Sequence, residues 1–205
     1  SYLIKSVYRD FPEGTIHLVA VDSAGDRDGN HIVAQIGGHY FLGADNGLFS
    51  LISEEEPAMI AILQDLEKNS AETFPARNVL ARAAAMLASG SNMNDVGTYT
   101  QDYKRLTDRK FRATKKMISG NVIRVDHYGN LITNIEKEVF NIIGKDRAFM
   151  ISMGREKIHT IHKTYKEVES GDCFVVFNNL GLLEIGINQG NASQLLGLKF
   201  DSPVA

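Results

Sequence analysis

The chain has one cysteine, Cys173, among 205 residues. A single thiol excludes an internal disulfide framework, and its place in an apolar strand pattern fits a reducing, cytoplasmic compartment. Long apolar runs are missing: none reaches the roughly 20 residues that a membrane-spanning helix needs, and no signal peptide is visible. An excess of basic charge is missing as well. The net charge is -3, from 22 Lys and Arg against 25 Asp and Glu, which speaks against a nucleic-acid surface. The one basic run, Lys104, Arg105, Arg109, Lys110, Arg112, Lys115 and Lys116, reads as a solvated linker rather than a phosphate site. The six histidines lack metal-ligand spacing. His159 and His162 stand three apart in a strand-like stretch and so point to opposite faces, and His17, His31, His39 and His127 form no chelating set. No metal site is expected. Phosphate-loop, dinucleotide-binding and nucleophile-elbow motifs are absent too.

What is present is an ordinary globular composition, 43% hydrophobic and 23% charged, long enough for one large or two small domains. Residues 3–9 read as a helix and residues 11–14 as a turn. Residues 16–21 read as a buried strand. Residues 31–36 and 40–42 read as hairpin arms around Gly37 and Gly38. Residues 58–62 fit strand or helix equally. Residues 73–89 carry Val79, Leu80, Ala83, Met86 and Leu87 at helical spacing, with Pro75 in the first turn and Gly90 as the stop. Residues 91–112 show little apolar periodicity and read as a crossing between domains. From residue 118 the texture becomes short strands separated by turns: 122–125, 131–135, 149–151, 157–161, 173–177 and 182–187. The expected architecture is an α/β domain over residues 1–112, followed by a small all-β, barrel-like domain over residues 113–205.

The densest chemistry lies in residues 122–135, V-I-R-V-D-H-Y-G-N-L-I-T-N-I. Val122, Ile123 and Val125 suit a pleated surface, and residues 126–130 supply turn chemistry before Leu131, Ile132 and Thr133 resume a strand. Short polar groups here (Asp126, Asn130, Thr133, Asn134) beside a stiff apolar scaffold suit recognition of a polar small molecule. Ordinary turn capping by Asp and Asn explains them equally. Asp22 closes a strand and opens the polar loop D-S-A-G-D-R-D-G-N. It reads either as a loop cap or as a ligand contact at the carboxyl end of a sheet strand.

This central stretch resembles the D-x-[FY]-G-N-[LIV]-x-T-N-I segment of the S-adenosylmethionine (SAM) hydroxide adenosyltransferase family, the SAM hydrolases, which are related to the SAM-dependent fluorinase and chlorinase. Three further stretches resemble the family in the same order: F-P-E-G-T-I-H-L-V-A-V-D at 11–22, G-A-D-N-G-L at 43–48 and N-N-L-G-L-L-E-I-G-I-N-Q-G-N-A at 178–192.

The resemblance implies hydrolysis of SAM to adenosine and methionine by water attack at the ribose C5′, with SAM as substrate and no cofactor. It implies a homotrimer with sites between subunits. It assigns water orientation to Asp22, supported by Arg27, the only arginine in a loop that departs from the family's D-P-G-V-G-T-x-R-R. It assigns Asp126 to the methionine ammonium and Asn130 to the adenosine. Asn179 falls near the methionine carboxylate, where Leu180 replaces an arginine of the halogenating relatives. Tyr165 would pack on adenine, the backbone at Asn188 and Gln189 would read its edge, and Phe74 either walls the pocket or belongs to the core. Pro75 stands where the family has a histidine. It also implies an incomplete α/β domain, because the family's opening strand, glycine-rich turn and helix precede the segment at which this chain starts. Three readings follow: a SAM hydrolase, a non-catalytic SAM or adenosine sensor that lost the water-activating histidine, and a structural trimer subunit without a ligand.

Overall fold

The computed structural model describes residues 1–23, 29–64 and 74–205. The chain forms two compact units, residues 1–108 and 109–205.

The first unit opens with α1 (Tyr2–Val7) and a single 3-10 turn (Tyr8–Asp10). Its sheet comprises β1 (Ile16–Val19), β2 (His31–Ile36), β3 (His39–Ala44), β4 (Met59–Leu63) and β5 (Gly97–Tyr99), in the order β1-β3-β2-β4-β5. β1 runs parallel to β3, and the other pairs are antiparallel. The undecided segment at 58–62 is thus a strand, with partners on both sides. Between β4 and β5 a π-helical turn (Ala76–Leu80) leads into α2 (Ala81–Ala88), and α3 (Met93–Val96) follows. The stretch expected as a crossing therefore contains α3 and β5. Its short length hid both from a periodicity argument.

Strand alternation explains the layers. Ile32, Ala34, Ile36, Phe41 and Ile60 face one way and pack with Tyr8, Phe49 and Ile52. Val33, Leu42, Ala61 and Leu63 face the other and pack with Leu80, Ala83, Met93 and Val96. Neighbouring residues bury on opposite faces, so both sides of the sheet are covered and its strands read as continuous apolar runs.

The second unit contains β6 (Arg112–Ala113), β7 (Ile118–Val125), β8 (Leu131–Glu136), α4 (Lys137–Gly144), β9 (Ile151–Met153), β10 (Glu156–Ile158), β11 (Cys173–Phe177), β12 (Leu182–Ile187), α5 (Ala192–Leu196) and β13 (Pro203–Val204). The main path runs β10-β9-β13-β7-β8-β12-β11, antiparallel at each pair, with β6 on β7. β10 also approaches β11, so the sheet curls into a nearly closed barrel. Val122, Leu131, Ile135, Ile151, Val175, Leu183 and Ile185 fill its interior. The all-β expectation holds for the barrel but missed α4 and α5. α4 lays Phe140 edge-on against Phe149 at 5.0 Å and Phe177 at 5.5 Å.

Among the described residues no helix is long and apolar enough to cross a membrane. Within the basic run, Arg105 bonds Glu56 at 2.7 Å, and Arg109 pairs with Asp201.

Candidate functional site

The clearest constellation lies in the second unit, where β7 turns into β8. Asp126 leaves β7, and the chain reverses through Gly129. The carboxylate holds the turn at both oxygens: Oδ1 accepts from the Asn130 N–H at 2.8 Å, and Oδ2 from Asn130 Nδ2 at 3.2 Å. The backbone closes the same loop, Asp126 N–H to the Asn130 carbonyl at 3.0 Å. Gly129 has φ +87°, and a Cβ there would fall 2.2 Å from the Asn191 side chain. Only glycine satisfies both demands. Asn191 in turn caps α5, its Oδ1 accepting from the Gln194 N–H at 2.9 Å, while the Gly129 carbonyl accepts from Ser193. The turn is thus braced against the start of α5. Capping and ligand reading coexist at Asp126: each carboxylate oxygen accepts about two hydrogen bonds, and Asn130 uses one on each.

Asn130, 9% exposed, leads to the next part of the surface. A Cβ on Gly186 would fall 2.6 Å from Asn130 Oδ1 and 2.1 Å from the Phe174 ring. The absent side chain lets that ring lie against β12. Tyr165 stacks on Phe174, centroids 4.5 Å apart and planes at 22°, and remains 48% exposed. Its hydroxyl donates to Glu184 Oε1 at 3.2 Å, and Asn178 Nδ2 donates to Glu184 Oε2 at 3.4 Å. Asn179, exposed, follows Asn178 in the turn between β11 and β12.

Asn188 and Gln189 follow β12. Asn188 Nδ2 donates to the Val168 carbonyl at 2.8 Å, which ties this turn to the segment carrying Tyr165. The Asn188 N–H is engaged by the Asp172 carbonyl and the Gly190 N–H by Ile187. Gln189 takes a left-handed conformation, φ 57°, with its Oε1 accepting from Ser170 Oγ at 2.9 Å. Asp126, Asn130 and Tyr165 thus form one connected surface through Phe174 and Gly186, and Asn178 joins Asn179 to it through Glu184. Sequence reasoning passed over Phe174, Glu184, Gly186 and Asn191. Glu184 was findable, as the only charged residue within the apolar run L-L-E-I-G-I.

The remaining candidates lie in the first unit. Asp22 is exposed with φ 47°, a left-handed conformation that aspartate tolerates. Its neighbours are fixed: Asn46 Nδ2 donates to the Val21 carbonyl at 3.0 Å, and His31 Nε2 lies 2.7 Å from the Ser23 carbonyl. Arg27 lies outside the described residues. Phe74 is 63% exposed and therefore not core, and its carbonyl accepts the Asn78 N–H as the helical segment begins. Pro75, where the resembling family has histidine, is buried at the start of that helix.

Among the described residues no three His, Cys, Asp or Glu side chains are grouped to hold a metal. An apolar cavity of about 440 Å³, lined by Met117, Ile118, Phe140, Phe149 and Leu183, sits at the opposite end of β7 from Asp126 and contains none of the candidate residues. We assign the site by its convergent polar groups rather than by cavity size.

The SAM hydroxide adenosyltransferase N-terminal domain model matches residues 1–97, and the C-terminal domain model matches residues 120–205. The match over residues 1–97 shows that the expected N-terminal domain is present in this chain. An (R)-S-adenosyl-L-methionine hydrolase of Thermus thermophilus is 30% identical over 94% of this chain and 76% of its own length. The Methanocaldococcus jannaschii hydrolase of the same name is 28% identical over 98% of this chain and 74% of its own. A solved structure of an uncharacterized conserved protein from Thermotoga maritima superposes with a TM-score of 0.87 at 30% identity, covering 99% of this chain and 81% of that one. The chain belongs to the SAM hydroxide adenosyltransferase family.

Proposed function

We propose that the protein hydrolyses (R)-S-adenosyl-L-methionine to adenosine and L-methionine. The observation that carries this reading is the connected surface of the second unit. A half-exposed aromatic ring backed by a second ring suits a flat base, and a fixed carboxylate beside it suits an ammonium. Four curated relatives that share the name (R)-S-adenosyl-L-methionine hydrolase, 24% to 30% identical, support the reaction type.

In the reaction a water oxygen attacks C5′ of the ribose. The C5′–S bond breaks with its electron pair going to sulfur, which changes from sulfonium to the neutral thioether of methionine. The water gives up one proton. The leaving group is good already, so catalysis consists largely of holding water and C5′ in line while excluding competing solvent. We assign Asp22 as acceptor for the attacking water, with Arg27 in support. Asp126 binds the methionine ammonium by a charge-assisted hydrogen bond, and Asn130, Tyr165, Asn188 and Gln189 bind the adenosine. Asn179 stands at the methionine carboxylate, and Phe74 walls the site. The buried Pro75 can neither donate nor accept a proton, which leaves Asp22 as the acid–base candidate. We further propose a homotrimer located in the cytoplasm, where the lone thiol of Cys173 stays reduced.

The test is incubation with SAM, following adenosine and methionine by chromatography, with Asp22→Asn alongside. Stoichiometric adenosine and methionine, lost in the variant, is the expected result. No product from the wild-type protein refutes the hydrolase reading. Light scattering in solution checks the trimer.

A further inference from the structure

We propose that Glu184 is the positioning residue of the adenine-binding surface, locking the Tyr165 ring and the Asn178–Asn179 turn in their substrate-ready places. The inference rests on the site reading above and deepens it.

β12 alternates. Leu183, Ile185 and Ile187 enter the barrel core, so Glu184 and Gly186 share the opposite face. Glu184 is nevertheless only 7% exposed. A carboxylate so enclosed needs strong partners, and it has two, Tyr165 OH on Oε1 and Asn178 Nδ2 on Oε2.

The orientation of Asn178 is fixed independently. Its Oδ1 accepts from the Leu180 N–H at 3.0 Å and the Leu182 N–H at 3.1 Å. The amide cannot flip without breaking both, so its Nδ2 must point at Glu184. Asn178 therefore presents a proton to Glu184, and the Tyr165 hydroxyl, which can donate or accept, donates because a carboxylate offers only acceptors. A glutamine could keep both contacts, its Oε1 accepting from Asn178 and its Nε2 donating to the Tyr165 oxygen, whereas a leucine of similar size keeps neither. Residue 184 thus acts through its polar end, not through its size.

Tyr165 is consequently held twice, by the Phe174 ring under its face and by Glu184 at its hydroxyl. Two anchors leave the ring no freedom to swing away from a stacked base, and the affinity gained is ordering entropy not lost on binding. The same carboxylate fixes the turn that presents Asn179. Glu184 touches no reacting atom, so its effect falls on binding and not on the chemical step.

The experiment compares wild type, Glu184→Leu, Tyr165→Phe and the double variant. It measures KM and kcat for SAM, adenosine affinity by calorimetry and the unfolding midpoint of each. We expect Glu184→Leu to raise KM and the adenosine Kd about tenfold, the scale of a lost hydrogen bond to a charged group, with kcat within about twofold. Tyr165→Phe cuts the same bond from the surface side without disturbing the strand, so the double variant should bind no worse than Glu184→Leu alone. Unchanged KM and adenosine affinity in both single variants, beside a wild type that binds, overturns the inference. Additive losses in the double variant overturn it too. A wild type that binds neither SAM nor adenosine refutes the site reading itself, and this inference falls with it.

Discussion

Gly186→Ala offers the sharpest test of how the candidate surface is built. The new Cβ would stand 2.1 Å from Phe174 Cζ, 2.6 Å from Phe174 Cε1 and 2.6 Å from Asn130 Oδ1. Phe174 is only 2% exposed, so its ring has no open space to enter and must tilt against its neighbours. Such overpacking costs about 1–3 kcal/mol. Alanine in place of glycine restores about 0.4–1 kcal/mol by restricting the unfolded chain, so the net loss is about 1–2 kcal/mol. Function should suffer as well, because Tyr165 stacks on the displaced ring. A base stacked on an aromatic ring gains about 1–3 kcal/mol, and losing half of that weakens adenosine binding about 2- to 12-fold. The control is Gly144→Ala at the end of α4, where a Cβ would meet Phe140 at 3.8 Å, ordinary contact. That change should be neutral or stabilise by up to about 1 kcal/mol, the helix preference of alanine over glycine. Guanidinium unfolding followed by circular dichroism gives the stabilities, and calorimetry gives the adenosine Kd. If Gly186→Ala matches the wild type in both, the Phe174 ring does not lie against β12 and the account of the adenine platform is wrong.

Other consequences are equally direct. Asp126→Asn keeps one acceptor for the Asn130 N–H but removes the charge and the acceptor for Asn130 Nδ2, so SAM affinity should fall about 10- to 100-fold, the scale of a charged hydrogen bond, and further than the affinity for adenosine, which lacks the ammonium, in parallel titrations. Asn134 is buried, accepting from the Asn121 N–H at 2.8 Å and donating to the Arg109 carbonyl at 2.6 Å; Asn134→Ala strands both backbone groups and should cost about 1–3 kcal/mol in chemical denaturation. His17 has its pKa lowered by burial first and by the neighbouring His39 second. It therefore binds fewer protons folded than unfolded, so its contribution to stability is full above the ordinary value of 6.5 and is lost as pH falls below it. Melting curves from pH 8 to pH 5 should show a drop that shrinks in His17→Gln, and an equal drop in both proteins would refute that assignment.

Period-two patterning carried most of the fold. β2, β3, β11 and β12 stand within a residue or two of where alternating or continuous apolar character put them, because each is flanked by glycine or short polar residues that stop the strand. The misses share a cause. α3, β5, β6 and β13 are two to four residues long, too short for any period to register, and they exist because longer neighbours offer them hydrogen bonds. β4 resisted assignment because a strand buried on both faces has no alternation to show. α4 was overlooked beside six strands, although Phe140 and Ile143 stand three apart and line one side of it.

The site was legible where local chemistry suffices and obscure where it depends on distant parts of the chain. D-H-Y-G-N announces a turn with a carboxylate and an amide, and the structure forms it within five residues. That Gly186 makes room for a ring from β11, and that Glu184 meets two polar groups, depends on Phe174, Tyr165 and Asn178, which are distant in sequence and brought close by the fold. The contrast extends to Pro75. A substitution that removes the family's proton-handling group is visible at one position, whereas retention of the binding surface shows only as a network. Hydrogen bonds link Asp126 to Asn130 and Tyr165 to Glu184, which is the order a binding surface needs, as proposed above. On the proposed reading the hydrolytic step falls to Asp22, and turnover in Asp22→Asn tests whether its carboxylate serves without a histidine.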